Sequence, residues 1–121
     1  MISGKFSSNN ELIFEIDLVA EDGSIITVDA LLDTGFSDWL AINTQDVESL
    51  GWQLIDNEET RLTARGEAQF DIYAGIVGLD SQEFRLPVIA GEEIAEVLLG
   101  LPWLFTRRLV VDFPESLLTL G

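Results

Sequence analysis

Residues 12–20 alternate with a period of two: Leu12, Phe14, Ile16 and Leu18 fall on one face, and Ile13, Glu15, Asp17 and Val19 on the other. Successive side chains of an extended chain point to opposite faces, so this pattern is that of a β-strand. Glu21-Asp22-Gly23-Ser24 then supplies turn-forming residues, and the β-branched run from Ile25 to Leu32 resumes the extended pattern, which makes the pair a hairpin. Its second arm runs directly into Asp33-Thr34-Gly35.

The rest of the chain repeats this grammar. Trp39 to Ile42 reads as a buried strand, and Asn43 or Thr44 caps a short helix that runs through Leu50 and stops at Gly51. A long hairpin is expected over 61–77, turning at Arg65-Gly66-Glu67, with Phe70, Ile72 and Ala74 alternating along its second arm. Further strands are expected over 83–89, where Pro87 points to an edge or a strand end, over 109–112 and over 117–120. Pro102 suits the first turn of a short helix over 101–106. The fold class is therefore mainly β, a sandwich or closed barrel with one or two short helices.

Length and composition bound the chemistry. A chain of 121 residues, 47% hydrophobic, fits one domain over 1–121 and can bury a sizeable core. It contains no His and no Cys, which removes imidazole triads, thiol nucleophiles, Cys/His zinc sites and disulfides. Catalysis would have to use carboxylates or hydroxyls. Against 6 basic side chains stand 22 acidic ones, a net charge of −16, so nucleic acid and anionic membrane surfaces are disfavoured as partners. With no apolar signal-like run at the start and no long apolar span, the expected location is cytoplasmic. Neither a calcium-loop pattern nor a phosphate-binding glycine loop occurs, so no metal or cofactor is expected. Glu92, Glu93 and Glu96 read as a solvated surface.

Asp33 follows three apolar residues of a strand and precedes a glycine that permits close backbone approach. Taken alone, Asp-Thr-Gly fits a surface turn as well as a reactive carboxylate. A second feature stands 67 residues on: the run Val97-Leu98-Leu99-Gly100, followed by Leu101-Pro102-Trp103-Leu104, with the Gly66 hairpin between the two motifs.

In this order of motifs the chain resembles the single-domain retropepsin-like aspartic proteases, from about Leu12 to its end, and Leu32-Asp33-Thr34-Gly35-Phe36 is similar to their bacterial and archaeal members. The resemblance implies a closed barrel carrying one catalytic aspartate, Asp33, and hence a homodimer that completes the site about a twofold axis. It implies an extended peptide or protein as substrate. Two close aspartates would share one proton, one acting as base on a water and the other as acid. By the same resemblance Thr34 bridges the twofold, Gly35 leaves room for substrate, and Leu98, Leu99 and Gly100 pack beneath the loop. Arg65, Gly66 and Glu67 would form the tip of a flap, although an ordinary surface hairpin fits the same residues.

One departure stands out. Retroviral members place a polar residue soon after the second-motif glycine, where this chain has Leu101-Pro102-Trp103, so support for the aspartate loop must come from elsewhere. Asp38 either hydrogen-bonds substrate backbone or is a solvated turn residue. Trp39, Trp52 and Trp103 read as core. Two other functions compete: a non-catalytic peptide-binding or dimerisation module of the same fold, and an aspartyl-phosphate nucleophile. The latter is disfavoured because the chain is β-rich and has a single lysine, Lys5.

Overall fold

The computed structural model describes the backbone of residues 1–63 and 66–121, and the side chains of residues 1–56 and 70–121. In chain order the strands are β1 (Ile2–Ser3), β2 (Lys5–Phe6), β3 (Leu12–Val19), β4 (Ile25–Leu32), β5 (Leu40–Asn43), β6 (Gln53–Thr63), β7 (Gly66–Leu79), β8 (Gln82–Gly91), β9 (Val97–Leu99), β10 (Leu109–Asp112) and β11 (Leu117–Leu120). A helix, α1 (Thr44–Leu50), follows β5, and a 3-10 helix (Leu101–Phe105) follows β9.

Local chemistry accounts for these boundaries. Between β3 and β4, Asp22 Oδ1 accepts from the Ser24 amide at 2.9 Å and the Ser24 hydroxyl at 2.6 Å, while Gly23 takes the left-handed conformation at φ 87°. Those two bonds hold the Asp22 carboxyl below its usual range. The side chain of Asn43 accepts from the Gln45 amide to cap α1, and Gly51, at φ 72°, closes it.

Six strands close on themselves in the order β3-β4-β9-β5-β8-β7, with the ring completed where Asp17 pairs Gly78 and Leu18 pairs Val77. β2 and β6 lie outside that ring, against β3 and β7. A separate sheet, β1-β11-β10, covers one end, tied to the barrel where the Gly4 amide donates to Leu118 O.

Alternation divides the apolar residues into two sets. Phe14, Ile16, Leu18, Ala30, Leu32, Leu40, Ile42, Val77, Val88, Leu99 and Trp103 fill the interior together with Leu118 and Leu120 of the covering sheet. A second cluster, Ala41, Ile72 and Ile89 with Phe36, Phe70, Ile94 and Leu98, lies on the opposite face of β5, β7, β8 and β9. Burial of each large interior side chain contributes roughly 1.5–3 kcal/mol.

The structure departs from the sequence reading at the start of β6, and it places the two faces of β7 and the expected edge position of Pro87. β6 begins at Gln53, before the expected start at Arg61, and gains length through register shifts between Leu54 and Asp56 and between Asp56 and Glu59. Strand β7 keeps its alternation throughout: Phe70 and Ile72 belong to the outer cluster and Ala74, on the same face, is exposed, while Tyr73, Val77 and Leu79 face the interior. Pro87 sits inside β8, but there β8 pairs with β7 alone, since its pairing with β5 starts at Ile89. A missing amide is tolerated on such an unpaired edge.

Candidate functional site

β4 delivers Asp33 to its place. Parallel pairing of β4 with β9 runs from Ala30 opposite Val97 to Leu32 opposite Leu99, and the Asp33 amide extends it by donating to Leu99 O at 2.9 Å. The chain then turns on Asp33 itself: its Oδ1 accepts from the Gly35 amide at 2.8 Å, and its carbonyl accepts from the Phe36 amide at 3.1 Å. This is an Asx turn, which fixes the carboxylate relative to its own backbone. Asp33, Thr34 and Gly35 are all exposed.

The second motif braces the loop from below. The Leu101 amide donates to Phe36 O at 2.8 Å and the Gly100 amide to Trp39 O at 3.2 Å. Gly100 packs so closely that a Cβ on it would stand 1.7 Å from Asp38 O and 2.8 Å from Phe36 O. Real Cβ atoms do not approach backbone oxygens at such distances, so the position admits glycine alone without a shift of the loop.

Leu98 and Leu99 are adjacent in β9 but face opposite ways. Leu99 is fully buried in the barrel, whereas Leu98 joins the outer cluster with Phe36. The resemblance implies that both pack beneath the loop; Leu99 packs inside the barrel, and Leu98 forms an apolar surface with Phe36 of the loop. The period-two pattern of a strand carries the signal that separates them. That surface, with Phe36, Phe70, Ile72 and Ile94, leaves no mark on the sequence because its members come from three distant segments.

Asp38 is half-buried, and its carbonyl faces Gly100. In the long β6–β7 hairpin, the register continues to Thr63 opposite Gly66 and Leu62 opposite Glu67. Gly66 thus opens the second arm, while Arg65 lies outside the described residues. Phe70 and Ile72 of that arm share the outer cluster with Phe36, so the hairpin's base reaches the surface beside the Asp33 loop. Among the described residues, no group of three or more Asp and Glu is arranged to hold a metal ion, and no helix is long and apolar enough to cross a membrane.

No protein-family model matches the chain, and no curated protein matches it in sequence. Solved structures do. A retropepsin-like aspartic protease from Rickettsia conorii superposes with a TM-score of 0.64 at 21% identity, over 99% of this chain and 91% of that one. The protease of EIAV, solved with an inhibitor, gives 0.68 at 14% identity over 88% of this chain and 99% of that one. The retroviral protease-like domain of Ddi1 from Leishmania major gives 0.53 at 18% identity, over 90% and 88%. At these identities the likeness establishes the fold, and the fold is retropepsin-like: mainly β, with a closed six-stranded barrel.

Proposed function

With a retropepsin-like fold as the premise, we propose that the chain is an aspartic endopeptidase whose active site forms between two copies about a twofold axis. The observation that carries this reading is Asp33, an exposed carboxylate fixed by its own turn at the end of β4, on a loop held by the second motif. The structural likeness to proteases across nearly the whole chain supports it.

A single carboxylate can take a proton from water but has none to give at the same moment. Two carboxylates brought close hold one proton between them, because a second negative charge at short range is costly. In the proposed reaction the ionised Asp33 takes a proton from water, and the resulting hydroxide bonds to the carbonyl carbon of the substrate. The protonated Asp33 of the other copy donates to the carbonyl oxygen. The pair then passes a proton to the amide nitrogen while a hydroxyl of the tetrahedral diol returns one to the ionised carboxylate, so the C–N bond breaks to a carboxylic acid and an amine and the pair again holds one proton.

In this reading Thr34 bridges the two loops, and Gly35 leaves space for substrate and water. Leu99 and Gly100 hold the loop. Asp38 faces substrate backbone. The hairpin with Arg65, Gly66 and Glu67 at its tip closes over an extended peptide and keeps out water. The apolar surface formed by Phe36 and Leu98 would receive apolar side chains of that peptide.

The experiment mixes wild-type chain with Asp33→Asn at increasing ratios and follows cleavage of a peptide library. Activity is expected to fall as the square of the wild-type fraction, since both copies must supply an acid. A linear fall, or cleavage by pure Asp33→Asn, would overturn the reading. Binding of peptides with none cut from acidic to neutral pH would instead support the non-catalytic module.

A further inference from the structure

The loop from Asp33 to Trp39 is fastened at three points: Asp33 N to Leu99 O, Leu101 N to Phe36 O, and a pair of donors on Trp39 O. One of that pair is the Gly100 amide; the other is the indole Nε1 of Trp103, at 2.8 Å. Position 101 itself offers the loop no polar side chain, because Leu101 is apolar and exposed.

Trp103 is held in a way that fixes this donor. It is 1% exposed, and the 3-10 helix opening with Leu101-Pro102 turns it back under the loop. Its ring meets Trp39 edge to face at 5.0 Å and Phe84 edge to face at 5.1 Å. The Arg107 guanidinium lies 5.5 Å from the centre of Phe84 and donates to Asp80 and Gln82, so the platform beneath Trp103 is itself secured. An indole carries one N–H and no acceptor, so the direction of its bond is unambiguous, and a buried N–H needs its partner.

We infer that Trp103 is a positioning residue for Asp33: its indole N–H locks the far end of the aspartate loop. This rests on the reading of Asp33 as half of a two-copy site. The loop's near end is held by sheet pairing and its middle by a backbone bond, and the indole is a side-chain fastening at its exit. Productive geometry in such a site tolerates little displacement.

The test compares Trp103→Phe, which keeps an aromatic ring but loses the N–H, with Phe84→Leu, which softens the same aromatic cluster without touching the loop. Both are expected to lower the unfolding temperature. Only Trp103→Phe is expected to lower kcat per titrated active site, by about tenfold, with KM unchanged within about twofold. It alone is expected to speed hydrogen exchange of the Gly35, Phe36 and Leu101 amides. Equal losses of kcat and equal exchange patterns in the two variants would overturn the inference, leaving Trp103 as core packing. If the wild-type chain cuts no peptide, the proposed activity fails, while the exchange comparison still decides the role of Trp103. Should Trp103→Phe not fold, the wild-type indole proton decides: exchange as fast as that of an exposed indole would overturn the assignment.

Discussion

Leu32-Asp33-Thr34 and Leu79-Asp80-Ser81 are near-copies in sequence, and each places an aspartate one residue past the end of a strand, β4 in one case and β7 in the other. Their surroundings differ. Asp80 receives the Met1 ammonium at 2.6 Å and the Arg107 guanidinium at 3.4 Å. The hydrogen bond to that ammonium, helped by the charge of Arg107, holds its carboxyl below the usual range against the opposing effect of burial. Asp33 is exposed, and its carboxylate accepts a backbone amide from its own turn. An acid whose charge is answered within the chain serves stability. One whose position is fixed while its outer side stays open can serve a reaction.

The sharpest way to break this contrast is to neutralise each acid in turn. Asp33→Asn is expected to cut peptide cleavage by roughly a hundredfold to ten-thousandfold and leave the unfolding midpoint nearly unchanged, whereas Asp80→Asn should leave cleavage per folded dimer within about twofold. Comparable losses of activity would erase the distinction.

Gly100→Ala should damage the Asp33 end alone. The new methyl must displace Asp38 O, at an expected cost of about 2–4 kcal/mol in denaturant unfolding and a large drop in activity. Gly23→Ala has open space around it and meets only the strain of its positive φ, about 1 kcal/mol.

Self-association offers a subtler contrast. Two copies of a chain at −16 repel, so sedimentation should show several-fold tighter dimers as salt shortens the Debye length from about 30 Å near 0.01 M to about 8 Å near 0.15 M.

The smallest effect lies at Asp80. Its folded pKa is below the ordinary 3.8, so its stabilisation is present above that pH and is lost as pH falls through the lowered value. Asp80→Asn should therefore be less stable than wild type at neutral pH and converge with it in strong acid, as urea midpoints at both ends of the range would record. A constant gap would mean that the carboxylate's charge contributes nothing.

Much of the architecture was legible because it is written locally. The hairpin turn at Asp22-Gly23, the Asn43 cap, the Gly51 stop and the proline-led short helix each depend on residues within a few positions. The pairing of Asp33 with the second motif was legible only through resemblance, since β4 and β9 meet across more than sixty residues and no local pattern specifies a parallel partner. The two-residue strands β1 and β2 escaped notice because they are too short to show a period. That the face of Phe70 and Ile72 lies outside the barrel escaped because alternation tells which residues share a face and says nothing of which face is inside. Trp103 was readable as core, and its ring is core. Its N–H needed coordinates, because an acceptor that is a backbone carbonyl leaves no mark on the sequence.

The barrel is joined through two residue pairs, and one member of that join is Gly78, where a Cβ would come within 3.1 Å of the Asp17 Cβ. The ring thus closes where a methyl is missing: an alanine at this seam would have to push the Asp17 side chain aside by a few tenths of an ångström.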